Sequence, residues 1–235
     1  MITAALPLNE SDRLEALDSC GLLDSDPEVG FDSIARHAAQ LAQAPTALIS
    51  LVSEDRQWFK ARYGFGGQET PRDLAFCAHA ILDEDPLVVE DATLDERFRD
   101  NPLVTDFPHI RFYAGFPIHG AQGHTLGTLC VIDTVPRSLD GDQLEMLTAL
   151  AMQVDAQIEL RDTLERLDEA RGTEGAVMRA LSQEARTTYD GVIKAQYHLA
   201  KTDLTDEQRA YIDFGLDSTH HLAVVLEDVV RRLQK

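Results

Sequence analysis

Three cysteines and eight histidines are the side chains best suited to nucleophilic, redox or metal chemistry, and their spacing decides which of these is open to them. Cys20, Cys77 and Cys130 stand far apart with no Cys-x-x-Cys. That pattern opposes a disulfide scaffold or a cysteine-rich zinc site and fits a reducing compartment. Cys77 and His79 are two positions apart, so on a helix they point to different sides and make a poor metal pair. They read as a core cysteine and a satisfied histidine. Cys130 lies in the apolar run Gly127-Thr128-Leu129-Cys130-Val131-Ile132-Asp133 and reads as a buried strand cysteine. Thiol catalysis needs an activated thiolate and a resolving partner, and neither spacing supplies one. His119 and His124 bracket a turn from Gly120 to Gly123 and could face each other as a zinc or copper pair. The plainer reading is two surface histidines, and no metal site is expected.

The elements that must carry these residues change character along the chain. Asn9 to Leu22 and Phe31 to Leu41 place apolar residues at three- and four-residue spacings, as amphipathic helices do. Thr46 to Val52 reads as a buried strand, and Gln57 to Tyr63, beyond the polar turn Ser53-Glu54-Asp55-Arg56, as its hairpin partner. A short helix is expected from Leu74 to Leu82, and a strand at Leu87-Val88-Val89. Arg111 to Ile118 and Thr125 to Ile132 flank the histidine-bearing turn as two further strands. Helices, then hairpin-connected strands, then a closing helix give an α+β domain on an antiparallel sheet.

From Leu139 onward the pattern is helical throughout. Asp140 and Gln143 can form a capping box. Leu147, Leu150, Val154 and Ile158 then make a narrow stripe, resumed in shifted phase by Leu160, Leu164 and Leu167. So narrow a stripe suggests a coiled-coil seam with a stutter, although its first two turns could equally pack on the preceding domain. Further stripes run through Leu181, Ala185, Thr188, Val192, Ala195 and Leu199, and through Ile212, Leu216, Thr219, Ala223, Leu226, Val230 and Leu233. Thr205 and Gln208 can cap the second of these helices. A lone hairpin of this size buries both stripes poorly, whereas two copies paired as a four-helix bundle bury them well. A homodimer is therefore expected.

The net charge is −20 and unevenly spread: the first 160 residues hold 10 Lys+Arg against 27 Asp+Glu. Such a field opposes nucleic acid or an anionic membrane as the main partner. No apolar run approaches the roughly 20 residues that span a bilayer, and the N-terminus lacks the basic and apolar regions of a signal peptide. A soluble cytoplasmic protein is expected.

Six blocks in order, Phe31-Asp32-Ser33-Ile34, Arg56-Gln57-Trp58-Phe59-Lys60, Phe76-Cys77-Ala78-His79-Ala80-Ile81, Asn101-Pro102-Leu103-Val104, Arg111-Phe112-Tyr113-Ala114-Gly115 and Gly127 to Asp133, resemble the GAF domains of bacterial sensor kinases. The resemblance implies a pocket between sheet and covering helices, lined by Phe59, Phe76, Cys77, Phe112, Tyr113 and Thr128. It names no cofactor and does not tie the pocket to one small-molecule ligand. Toward the C-terminus, Ser182-Gln183-Glu184-Ala185-Arg186-Thr187-Thr188 resembles the Ser-His-Glu-Leu-Arg-Thr-Pro of histidine kinase dimerisation hairpins. Here Gln183 replaces the phosphoacceptor and Thr188 the proline. An amide cannot take up a phosphoryl group as an imidazole does, so autokinase activity is not expected.

The organisation expected is a GAF domain over residues 1–138, a connecting helix or coiled coil over 139–175, and a degenerate hairpin over 176–235. The function expected is that of a non-enzymatic two-component regulator. Gln183, Glu184, Arg186 and Thr187 would dock a response-regulator receiver or a histidine kinase. Two alternatives come from other classes. One is a GAF-based redox enzyme using Cys77 or Cys130. The other is a phosphotransfer protein using a histidine such as His198 or His220.

Overall fold

The computed structural model describes residues 1–120 and 122–171. The chain divides into two compact units, Met1–Asp155 and Ala156–Lys235. Within the first unit, helices α1 (Glu10–Ser19) and α2 (Val29–Leu41) precede strands β1 (Thr46–Val52), β2 (Arg56–Tyr63) and β3 (Glu69–Pro71). A 3-10 turn (Arg72–Leu74) leads into the short helix α3 (Phe76–Ala80), then β4 (Leu87–Val89), α4 (Pro102–Thr105), β5 (Phe112–His119) and β6 (Thr125–Asp133). Helix α5 (Gly141–Arg171) follows. The strands form one antiparallel sheet in the order β3-β2-β1-β6-β5-β4.

The central position of β1 follows from its sequence. Thr46-Ala47-Leu48-Ile49-Ser50-Leu51-Val52 is apolar on both faces, and six of its seven residues are buried, as a strand covered on both sides must be. Gly127 of β6 lets that strand approach: a methyl group there would lie 1.8 Å from the Ser50 carbonyl oxygen. The two-residue period then sorts the side chains. Leu48, Phe59, Tyr113 and Cys130 face the layer built by α3 and its flanking loops, where they join Phe76, Cys77, Phe98 and Val104 in one core. The intervening residues face the other way, toward the side where α2 buries Phe31, Ile34, Ala35 and Ala38.

Lys60 is the extra residue where the β1–β2 register shifts, Ile49 pairing with Ala61 but Ser50 with Phe59. A bulge of this kind re-aims a side chain. Lys60 Nζ is thereby directed to Glu28 (2.8 Å), Ser25 Oγ (2.6 Å) and the Asp26 carbonyl (2.7 Å). All three ammonium donors are satisfied in this way, which is what full burial of a lysine requires.

Most of the strands lie where hydrophobic patterning puts them. The helix expected over 74–82 is shorter, because Ala75 is extended (φ −75°, ψ 123°) and separates the 3-10 turn from α3. Strand β3 (Glu69-Thr70-Pro71) and helix α4 (Pro102-Leu103-Val104-Thr105) are too short for periodicity and, unlike β4, show no continuous apolar run, so patterning does not find them. The capping box is formed: Gln143 N–H donates to Asp140 Oδ1 (2.8 Å) and Asp140 N–H to Gln143 Oε1 (3.1 Å). Leu147, Ala151 and Val154 of α5 are buried within the first unit, while Leu150 is only half-buried. So the early turns of this helix pack on the domain. In the second unit Arg166 pairs with Asp162 at 2.8 Å, one helical turn away. Among the described residues no helix is long and apolar enough to cross a membrane. The hairpin expected over 176–235, with Gln183, Glu184, Arg186, Thr187, His198 and His220, lies outside the described residues.

Candidate functional site

The side chains with the most unusual surroundings meet between α3 and the middle of the sheet. Cys77, the second residue of α3, is buried, and Cys130, equally buried, faces it from β6. Their sulfurs are 3.9 Å apart, and none of the three cysteines forms a disulfide. Thr128 lies two residues before Cys130 on the same face of β6, and its Oγ1 donates to Cys77 Sγ at 3.1 Å. Tyr113 of β5 donates its phenol to the same sulfur at 3.2 Å. That reach depends on Gly115, which pairs with Cys130 across the sheet. A methyl group at position 115 would lie 2.1 Å from Tyr113 Oη, so the missing side chain is the space the phenol occupies.

Burial alone raises the pKa of Cys77 by disfavouring its charged form. Hydrogen bonds from Cys130, Thr128 and Tyr113 outweigh it and hold this thiol below its ordinary range. Ser50 contributes least, and its buried Oγ makes no well-aligned hydrogen bond. Cys130 is driven the opposite way, foremost by Cys77 and then by burial. Burial, followed by the charge of the neighbouring thiols, keeps the Tyr113 phenol protonated and therefore a donor. Both hydroxyls converge on Cys77 Sγ, so of the two thiols Cys77 is the one whose thiolate they would stabilise.

A cavity of about 30 Å³ adjoins Cys77, with Leu48, Phe59, Phe76, Tyr113 and Ile132 among its walls. That is more than the roughly 10–15 Å³ of such space that admits a water molecule. Of the pocket residues expected from sequence, Phe59, Phe76, Cys77 and Tyr113 border this space. Phe76 also stacks on Phe98, with ring centroids 3.9 Å apart. Thr128 reaches the thiol rather than the cavity. Phe112, next to Tyr113 on the strand, faces the opposite side of the sheet and is fully buried there.

The histidines take separate partners. His79 Nε2 lies 3.0 Å from the Ile2 carbonyl and its ring meets Phe98 edge-on, away from Cys77. His124 contacts Asn9 at 3.2 Å. His119 Nδ1 lies 2.9 Å from Asp155 Oδ2, and its backbone N–H donates to Asp155 Oδ1 at 2.7 Å. Glu84 lies 3.3 Å from His119 Nε2. The Asp155 hydrogen bond, opposed by partial burial, raises the His119 pKa above its ordinary value. Among the described residues no group of three His, Cys, Asp or Glu is placed to hold a metal ion.

A second, more open cleft of about 280 Å³ lies between α2 and β2, with Asp32, Arg36, Lys60 and Arg62 on its walls. Burial pushes the Asp32 carboxyl up despite the cations Lys60, Arg36 and Arg62. Sequence reasoning missed the meeting of Cys77 with Cys130, because 53 residues separate them. The only signal was the shared face of Thr128 and Cys130.

The GAF domain family model matches residues 26–158. Over 173 residues, 73% of this chain, the sequence is 43% identical to the cyclic di-GMP phosphodiesterase PA2567 of Pseudomonas aeruginosa. The chain spans 30% of that relative's length. Among solved structures, the GAF domain of an Acinetobacter phosphoenolpyruvate-protein phosphotransferase is 18% identical with a TM-score of 0.46, covering 69% of this chain and 98% of its own. The second GAF domain of DevS from Mycobacterium smegmatis is 20% identical with a TM-score of 0.46, covering 60% and 99%.

These findings correct the expected function. The expectation of a two-component regulator docking a receiver or kinase rested on C-terminal blocks from Ser182 to Leu222 that resemble a histidine kinase hairpin with Gln183 in the phosphoacceptor position. The 43% identity over 173 residues is to a protein named as a cyclic di-GMP phosphodiesterase, not to a two-component regulator.

Proposed function

The chain belongs to the GAF domain family, and from that premise we propose that it is a sensory module of cyclic di-GMP signalling. The observation that carries this reading is the 43% identity, extending over 73% of the chain, to a cyclic di-GMP phosphodiesterase. The module's input face is the core between α3 and the sheet, where Cys77, Thr128, Tyr113 and Cys130 meet. Its output leaves along α5, which is tied to the sheet through Asp155 and His119 and to the end of α2 by Gln143 Nε2 donating to the Leu41 carbonyl at 3.1 Å. At about 30 Å³ the small space beside Cys77 suits a very small input molecule. The wide spacing of the three cysteines in the sequence supports a reducing compartment, the cytoplasm, for this module.

The C-terminal stretch is proposed as a dimerisation element in which the apolar stripes of two copies pair, with no part in phosphotransfer. The sequence pattern supports this.

The test is cellular. Cyclic di-GMP is quantified by mass spectrometry in cells lacking the gene and in cells carrying it again. A several-fold change on deletion, restored by the intact chain, supports the proposal. Unchanged levels through every growth phase defeat it.

A further inference from the structure

The cysteine pair carries an inference beyond a sensory role in general. We propose that Cys77 and Cys130 are an oxidation site that hydrogen peroxide converts to an intramolecular disulfide, so that the chain responds stoichiometrically to a hydroperoxide.

Four observations meet at this site. The two sulfurs are already 3.9 Å apart and must close to about 2.05 Å in a disulfide. Cys77 sits on a five-residue helix outside the sheet, whereas Cys130 is held in a strand paired on both edges. Two hydroxyls, Thr128 Oγ1 and Tyr113 Oη, aim at Cys77 Sγ. An ordinary core cysteine needs no such donors, whereas a thiolate does. The cavity touches Cys77, and Cys130 is not among its walls. Its small volume and mostly apolar walls suit a small neutral molecule.

The order of events follows from that geometry. The Cys77 thiolate attacks one oxygen of hydrogen peroxide; an S–O bond forms, the O–O bond breaks, and the departing hydroxide takes a proton to become water. The Cys130 sulfur then attacks Cys77 Sγ; the S–S bond forms, the S–O bond breaks, and the second hydroxide leaves as water with the Cys130 proton. The two sulfurs lose one electron each, and the peroxide takes up both. The product pins α3 to β6 and leaves the Thr128 and Tyr113 hydroxyls without the thiolate they served. The covered face must repack around them. Cys20 stands apart, with its thiol on the Leu17 carbonyl at 3.0 Å.

The inference adds an input chemistry to the sensory reading. It is tested on the purified chain, independently of what cells show of cyclic di-GMP. The intact protein is exposed to rising hydrogen peroxide, its thiols are counted after denaturation, and its peptides are mapped by mass spectrometry. Two of the three thiols should be lost, dithiothreitol should restore both, and one peptide pair should join Cys77 to Cys130. C20S should behave as the wild type does. C130S should stop at a sulfenic acid on Cys77 that dimedone captures. T128V and Y113F, which keep both cysteines, should slow the reaction about tenfold each, the loss expected for one charge-assisted hydrogen bond. Retention of all three thiols by the folded wild-type chain would overturn the inference. A product linking Cys20 or joining two chains would do the same, as would unchanged rates in both T128V and Y113F.

Discussion

At the scale of single residues, the thiol cluster exists because a glycine vacates the space its tyrosine needs. The expected outcome for G115A is direct. The new methyl falls 2.1 Å from Tyr113 Oη and 2.6 Å from its Cζ, so the ring must leave its place over the strand. Overpacking of this kind costs about 1–3 kcal/mol, measurable by urea unfolding. The cost should shrink when Tyr113 is first truncated to alanine; an equal cost in both backgrounds would show that the tyrosine is not what the methyl meets. His119 supplies a second residue-scale outcome. Its folded pKa is raised by Asp155, so its stabilising contribution is complete below the ordinary histidine pKa and disappears as pH rises through the raised value. Melting temperature should therefore fall across that window in the wild type more than in D155N. Parallel profiles would separate the pair from stability. Little of this was legible beforehand. That Cys130 is buried can be read from its apolar run, but that Cys77 lies against it depends on how α3 crosses the sheet, which no local pattern encodes.

At the scale of elements, patterning located β1, β2, β5 and β6, each long enough to show its period, and also the three-residue β4, whose uninterrupted Leu87-Val88-Val89 run is apolar and mostly β-branched. It missed β3 and α4, which span three and four residues and are held by tertiary partners. Asn101 illustrates this: its Oδ1 accepts the Leu103 N–H at 2.9 Å while its Nδ2 donates to the Leu74 carbonyl at 3.0 Å, so one side chain both starts α4 and ties it to the turn before α3. Helix α1 is fixed by charge. Glu10 forks onto Arg13 at 2.7 and 2.9 Å and reaches Arg72 Nη1 at 2.6 Å, and Arg13 is among the largest fully buried side chains. Partial burial raises the Glu10 pKa, but the hydrogen bonds and charges of the two arginines win and hold it at about 2. Because this pKa is depressed in the folded state, its contribution is complete above the ordinary carboxylate value. It is lost as pH falls from there toward about 2. E10Q should cost on the order of 3 kcal/mol near neutrality, because it strips a buried arginine of its counter-charge. Its stability should also decline less steeply in acid than that of the wild type. Parallel acid titrations of the two proteins would show that Glu10 does not govern the acid limb. At α5, D140A should cost about 1 kcal/mol for the loss of the cap.

At the scale of the whole molecule, an acidic GAF unit is followed by a long stretch whose apolar residues recur at helical spacing. Of the 41 acidic residues, 27 fall in the first 160 positions, so two such units repel one another at low ionic strength. Any pairing of copies must be driven by the C-terminal stripes. Val192 and Leu199 stand on the first stripe, Leu226 and Val230 on the second. Burying four such side chains per chain contributes roughly 6–12 kcal/mol before entropic costs, enough to outweigh screened repulsion between the acidic units. Light scattering of the intact chain should therefore give twice the 26.1 kDa of one copy, at low salt as well as high. The double variant L199D/L226D should give the mass of one copy while its thiol oxidation and the near-ultraviolet signal of Trp58 stay those of the wild type. A monomeric wild-type chain would remove the dimer. A double variant that stays dimeric would place the interface away from the stripes, and the apolar spacing beyond residue 176 would then need another occupant.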